Sequence, residues 1–442
     1  MRNAVTHHHP DPDHDPDPVE LPLVGIDVHS AILYVAVHTP LARRKWTEWT
    51  TGVTRRDVEE LANRLREMRV TRAAMEATHV FGTMLVRVLQ AAGIECVVVN
   101  PQHMHGVKGR KTDKADAQRL AELLRAGALR GSRIPSADES KLRTLTRARV
   151  QTVEDETRCK NQILKLLREA GISLDTILAT VFCVTGLQIL HQLAAGIAPD
   201  ISDEALGRIR RSKRPLVRQA LGWPLEREQQ IVLTQKLRRL SALGTDLREL
   251  EREIDAVVAS DAQLQRAVEI ADSIPGIGTL GGASVLAETG WDLSAFASAA
   301  HLASWVGACP GRTESAGKRL SGKCAKGNRY VRRLLNQFAN TLRRQPAEGM
   351  PGMWLHSWFK SMVRRIGWKK AVVALGHKQL RLLYRLIRGD EVYDEERHRN
   401  SGRRERDQLR YLERRARELG YAIAYRRIEP EPAPAAPALA EV

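Results

Sequence analysis

The sequence predicts an α/β domain followed by a helical, all-α remainder. Three observations predict it. Residues 21–126 alternate short apolar runs with amphipathic stretches, the pattern of strands interleaved with helices. Residues 138–170 and 225–271 carry leucines at three- and four-residue steps without interruption, the pattern of long helices. Beyond 272 the helical pattern continues, broken by Gly/Pro turns. At 442 residues with 43% hydrophobic content, the chain has length for two or three domains with cores of their own.

Residues 1–20, MRNAVTHHHPDPDHDPDPVE, are polar and proline-rich, lack a signal-peptide pattern and read as a disordered tail. The His7–His9 run fits that tail better than a metal site. The first domain, residues 21–130, opens with three strands: LPLVGIDV, AILYVAVHTP and RKWTEWTTG. Thr54 starts the amphipathic helix TRRDVEELANRLREM, and VTRAAMEA is a fourth strand. HVFGTMLVRVLQAAG is a helix ending at Gly93, and IECVVVNP a strand stopped by Pro101. Thr112 caps the helix DKADAQRLAELLRAG, which ends at Gly127. The order β-β-β-α-β-α-β-α implies hairpin-linked strands followed by right-handed crossovers.

Residues 131–271 form a helical linker and dimerisation region. Leu142, Leu145, Val153, Ile163, Leu166 and Leu167 share a stripe on the first long helix. Leu237, Leu240, Leu243, Leu247, Leu250 and Ile254 do so on the second, which is expected to run from Leu225 to about Ala271. Such helices pair as a coiled coil, within one chain or between two. Residues 173–223 between them are helical but irregular, 272–388 form a third compact region, and 389–442 a charged helix with a proline/alanine tail.

Seventy Lys+Arg against 52 Asp+Glu leave a net charge of +18. That balance favours a polyanionic partner, nucleic acid first and an anionic membrane surface second. No apolar run approaches the ~20 residues that span a bilayer. Cys96, Cys159, Cys183, Cys309 and Cys324 are scattered and form no CxxC, against a disulfide framework or structural zinc. A reducing bacterial cytoplasm is the expected compartment, with the protein on the nucleoid when bound to DNA.

Four acids stand where secondary structure does not ask for them. Asp27 follows an apolar run inside a strand, Glu76 ends the fourth strand, and Asp113 and Asp116 lie three apart at a helix start. Asp113 and Asp116 alone would suit the helix dipole. A carboxylate at the end of a central strand needs a partner, because burying it unpaired is costly, and a divalent cation supplies one. Oxygen ligands suit Mg²⁺ or Mn²⁺ alike. A first-strand Asp, a fourth-strand Glu and a paired-Asp helix, in that order, resemble the ribonuclease H-like fold of RuvC-type Holliday-junction resolvases.

Downstream, ADSIPGIGTLGGASVLAETG reads as a helix–hairpin–helix. Gly276 and Gly278 form its tight turn and offer backbone N–H groups to a phosphate, although a plain turn gives the same string. Residues 311–329, GRTESAGKRLSGKCAKGNR, then place Ser315 and Ser321 in a cationic, glycine-rich loop with no histidine. A serine hydroxyl attacks poorly unless a base or metal activates it, so the activating group has to come from elsewhere. Loop chemistry alone does not choose between the two serines. Glu314 could orient a hydroxyl or pair with Arg312, and the pairing is the simpler role. Lys318, Arg319, Lys323, Lys326, Arg329, Arg332 and Arg333 are candidate phosphate contacts.

GIDVHS, MEATHVFG, VVVNPQHMHGVKGRKTDKADAQRLAELL, SIPGIGTLGGASVLAETG and SWVGACPGRTESAGK together resemble the motifs of the DEDD-type insertion-sequence transposases, the one-ten family, over roughly residues 23–385. The resemblance implies that Asp27, Glu76, Asp113 and Asp116 bind Mg²⁺ or Mn²⁺ and that Ser315 attacks DNA. It further implies donor and target DNA as substrates, a structured guide (bridge) RNA as partner, and a homo-oligomer, a dimer of dimers. Residues 171–223 and the tail beyond 390 are longer than the compact members of the family require. Two other functions fit the residues: a nuclease or resolvase that uses the acids with water, and a non-catalytic nucleic-acid-binding protein.

Overall fold

The computed structural model describes residues 21–40, 45–76, 82–99, 113–129, 131–309, 313–315, 318–321, 324, 327–344, 346, 351–399 and 403–424. For 82, 113, 313–315, 318–321, 398–399 and 403–408 it describes the backbone alone. The chain divides into two compact units, Met1–Ile134 and Pro135–Val442. The expected tails, Pro101 and Thr112 lie outside the described residues.

The first unit is a five-stranded sheet with three helices. In chain order it runs β1 (Leu23–Val28), β2 (Ile32–His38), β3 (Trp46–Gly52), α1 (Arg55–Glu67), β4 (Arg72–Glu76), α2 (Gly82–Ala91), β5 (Glu95–Val99) and α3 (Asp113–Arg125). The predicted succession of elements is present. The sheet order is β3-β2-β1-β4-β5, with β1–β2 and β2–β3 antiparallel and β1–β4 and β4–β5 parallel. Thr54 starts α1 through a capping box: its hydroxyl accepts from Asp57 N and the Asp57 carboxylate accepts from Thr54 N. Every residue of β1 is buried, as expected of a strand covered on both faces. Val24, Ile26, Val28, Ala73 and Met75 pack with the apolar sides of α1 and α2. Leu23, Ala74 and Val99 face Leu120 and Leu124 of α3.

The second unit is helical apart from one hairpin. α4 (Ala137–Glu169) is followed by α5 (Leu174–Ile177), α6 (Val184–Ala194), α7 (Arg214–Ala220) and α8 (Arg227–Ala259). α4 and α8 lie antiparallel: Leu142 clusters with Ile254 and Val258, and Ile163 with Leu233 and Leu237. Of the two pairings open to these helices, the one within a single chain is present. Leu174, Ile189, Leu190 and Val217, from α5, α6 and α7, cover the far end of that pair.

The second long helix is shorter than expected. It stops at Ala259, and the extended Asp261 accepts a hydrogen bond from Leu264 N to start α9 (Ala262–Ser273). The leucine spacing keeps its phase across the break, so periodicity alone ran the two helices together.

Next come α10 (Thr279–Thr289), α11 (Ala299–Val306), β6 (Thr313–Ser315), β7 (Lys318–Ser321), α12 (Arg329–Thr341), α13 (Met353–Ile366), α14 (Trp368–Gly389), α15 (Glu395–Arg399) and α16 (Arg403–Glu418). α14 is the central rod, carrying Leu380, Leu383 and Leu386 into one cluster and Ala371 and Leu375 into another. No helix among the described residues is long and apolar enough to cross a membrane.

Candidate acid site and serine hairpin

Three of the four acids are carried to one end of one face of the sheet. β1 and β4 are parallel with Ile26 opposite Met75, so the next residue on each, Asp27 and Glu76, stand side by side. Side chains alternate along a strand, and Leu23 and Ala74 point to α3, so Asp27 and Glu76 belong to that same face.

Gly25 sets the direction and depth of α3. A Cβ there would lie 1.9 Å from Ala117 O and 2.8 Å from Ala121 N, so only glycine admits the helix at this separation. With Leu120 and Leu124 over Leu23, α3 runs antiparallel to β1 and its N-terminal turn lies at the Asp27 end. Gln118 Nε2 donates to Glu48 Oε1 at 2.7 Å, which turns one side of α3 toward β3. Asp116, half-buried, sits one turn before Leu120 in the first turn of α3. Asp113 is the first residue of the helix and its side chain lies outside the described ones.

Asp27 is 8% exposed, and His29 Nε2 lies 3.1 Å from its Oδ2. The His29 ring meets Tyr34 edge-on at 5.6 Å. His29 was not singled out from sequence, although it stands inside the GIDVHS motif. The donor chemistry fits a hard divalent cation: carboxylates on a rigid strand pair, faced by a helix start. Among the described residues no three His, Cys, Asp or Glu side chains stand close enough to hold a metal ion, and that set does not include the carboxylate of Asp113.

The second unit folds the serine loop into an antiparallel hairpin. Ser315 stands opposite Lys318, Glu314 opposite Arg319 and Thr313 opposite Ser321, with an irregularity between Thr313 and Glu314. Ser315 and Ser321 therefore sit at opposite ends of a short ladder, Ser315 next to the turn. The side chains of Ser315, Lys318, Arg319 and Glu314 and all of Arg312, Lys323 and Lys326 lie outside the described residues.

The start of α12, the helix that follows this hairpin, is tied to the helical body by a carboxylate that sequence reasoning missed. Glu288, at the end of α10, is 2% exposed. Arg147 of α4 donates Nε and Nη2 to its two oxygens at 2.7 and 2.9 Å, and Asn328 Nδ2 donates to Oε2 at 2.7 Å. Arg143 adds bonds to the carbonyls of Ala287 and Glu288 at 3.1 and 2.9 Å. Asn328 is also the N-cap of α12, its Oδ1 accepting from Tyr330 N and Val331 N. The one signal available was an acid closing the apolar run SVLAETG.

Gly276 and Gly278 take the predicted turn between α9 and α10, both with positive φ, +89° and +70°. Gly276 is held inside: a Cβ there would lie 2.4 Å from Thr341 Oγ1 and 2.8 Å from Phe338 O. Gly278 and Thr279 are exposed at the start of α10, so any phosphate contact falls to that side of the turn. Arg329 is exposed and donates to Tyr330 OH at 3.0 Å, and Arg332 is exposed. Arg333 is already paired with Glu154 of α4, which makes it a structural cation first.

Comparison with known proteins gives a consistent picture. Residues 24–172 match a family model described as a transposase, of the DEDD type, and residues 268–350 match the transposase family IS116/IS110/IS902. The transposase for insertion sequence element IS1111A of Coxiella burnetii is 28% identical over 309 residues, covering 70% of this chain and 75% of its own. The mini-circle putative transposase for IS117 of Streptomyces coelicolor is 30% identical over 288 residues, covering 58% and 68%. A probable family 20 transposase of Pseudomonas aeruginosa is 25% identical over 309 residues, covering 70% and 81%.

Proposed function

The chain belongs to the IS110 transposase family and is a DNA-processing enzyme, and from that premise we propose that it recombines DNA through a covalent serine–phosphate intermediate. The first unit is read as ribonuclease H-like, on the strand order β3-β2-β1-β4-β5 and the acids at the end of β1 and β4. Asp27, Glu76, Asp113 and Asp116 would hold Mg²⁺ or Mn²⁺. When bound, such ions polarise a scissile phosphate and favour the deprotonated form of an attacking hydroxyl.

Residues of this chain do the rest. Ser315, beside the hairpin turn, forms the new O–P bond and gives up its proton. The strand's own O–P bond breaks, and the leaving deoxyribose oxygen takes up a proton. The phosphoserine conserves the bond energy, so reversal by another strand end needs no ATP. Gly278 and Thr279 together with Lys318, Arg319, Lys323, Lys326, Arg329 and Arg332 supply phosphate contacts. Glu288, Arg147 and Asn328 fix the start of α12, the helix that follows the hairpin. A structured RNA guiding target choice and an oligomer that brings serine and acids onto one phosphate complete the reading. The charge of +18 supports the polyanionic partners.

The observation that carries this reading is the pairing of two features in one chain: neighbouring acids at the ends of β1 and β4, and a serine on a short cationic hairpin. Its test is to trap protein on labelled DNA, with the element's own RNA and Mg²⁺ present, and to map the adduct. Wild type and Ser321→Ala form an adduct at Ser315, whereas Ser315→Ala and Asp27→Asn do not. Strand cleavage surviving in Ser315→Ala without any adduct would instead identify a water-using nuclease. Activity indifferent to Asp27→Asn would point to a protein that only binds.

A further inference from the structure

Several arginines of the second unit have a carboxylate partner. Arg147 has Glu288, Arg149 has Glu251, Arg333 has Glu154 and Arg266 has Asp390. One row of cations in this unit is set apart by its aromatic neighbours. Lys378, Arg381 and Arg385 recur at three- and four-residue steps on α14, which puts them on one face. Among the described residues none of the three makes an ion pair.

What holds Lys378 is aromatic. Its Nζ lies 4.3 Å from the Trp354 ring centre and 4.5 Å from that of Trp358. The two tryptophans are four apart on α13 and so share a face, and both indoles are partly exposed. Burial first, then Arg385 and Arg381, push the Lys378 ammonium down to about 8. A stacked lysine alone could be a packing device. Arg381 and Arg385 are exposed on the same face and repel that ammonium. An anion laid along the row relieves all three.

We propose that the Lys378–Arg381–Arg385 row of α14, with Trp354 and Trp358 of α13, binds an unpaired stretch of substrate DNA, phosphates on the cations and a base on the indoles. Bases in a duplex keep their faces stacked on each other, so an indole is reached by a base out of the stack. DNA is the strand chosen because the helix that carries the row meets the chain segment that precedes the serine hairpin. His377 Nε2, next to Lys378, lies 3.9 Å from Sγ of Cys309, the last described residue before that hairpin. The assignment of DNA rests on the function proposed above. The binding itself does not depend on Ser315 chemistry.

The test uses the full-length protein and fluorescence anisotropy with a labelled DNA single strand, the same sequence as duplex, and its RNA counterpart. Arg381→Gln/Arg385→Gln, two exposed changes, is expected to weaken single-strand DNA binding and to lower the log–log salt slope by about 1.4, at ~0.7 per phosphate contact. Trp354→Leu is expected to weaken it roughly tenfold with the slope unchanged, the mark of lost stacking. Duplex binding changes little in either variant. An unchanged slope in the arginine variant, an equal loss on duplex, or an effect confined to RNA would each overturn the proposal. Ser315→Ala is expected to bind the single strand as wild type does. Absence of a serine adduct with the arginine effect intact would therefore sink the serine reading and leave this one standing.

Discussion

Glu288 shows how much one side chain can hold. Its carboxylate is buried, doubly bonded by Arg147 and capped by Asn328, which in turn starts α12. Removing the carboxylate leaves Arg143 and Arg147 unmatched; a fully buried pair would cost about 3–5 kcal/mol, and the partial exposure of Arg147 brings the cost to the low end of that range. Glu288→Ala is expected to lose that much in chemical denaturation. Glu288→Gln, which keeps the shape but not the charge, should lose less of it and still lose most adduct formation at Ser315. Equal stability and full activity in both variants would show that the cluster anchors nothing. The candidate acids stood out in the sequence because Asp27 and Glu76 interrupt or end apolar runs. Glu288 does the same after SVLA, but its partners lie 141 and 40 residues away, and no local pattern reports a pairing at that distance. His29 was hidden for the opposite reason: two residues from Asp27, it looks like any polar residue after a strand.

At the scale of elements, local chemistry and periodicity disagreed once. The leucine stripe of α8 continues into α9 with the spacing intact, and period alone cannot see a break that preserves phase. Asp261 is what stops it, an N-cap whose carboxylate accepts from Leu264 N at 2.9 Å. An N-cap Asp replaced by Ala typically costs ~1 kcal/mol. Asp261→Ala is therefore expected to destabilise the second unit by about that amount in urea titration. A gain in stability would mean that the two helices prefer to run on as one and that the break is imposed from elsewhere. Elsewhere the agreement was close: Thr54 caps α1, the β-β-β-α-β-α-β-α order holds, and the serine loop differs only in being a hairpin. Sequence could not show that hairpin, because a strand of three residues has too few positions for alternation to appear.

For the whole molecule, the decisive property is that each unit has its own core. Apolar clusters of the first unit involve only its sheet and α1, α2 and α3, and those of the second only its helices. A ligand that binds one folded unit stabilises that unit by mass action, about 2.7 kcal/mol when its concentration is a hundred times the dissociation constant. Asp27 and Glu76 stand side by side with the α3 N-terminal turn above them, an arrangement of carboxylate oxygens suited to a hard divalent cation. Adding Mg²⁺ to the full chain is thus expected to raise protection against hydrogen exchange in β1, β4 and α3 while leaving α4, α8 and α14 unmoved. Chelation should reverse the change, and Asp27→Asn should abolish it. Protection that rises equally in both units, or that persists in Asp27→Asn, would mean that Mg²⁺ acts as general counter-ion rather than at these carboxylates. The reading of the first unit as a metal-using nuclease fold would then lose its physical basis, whatever the serine does.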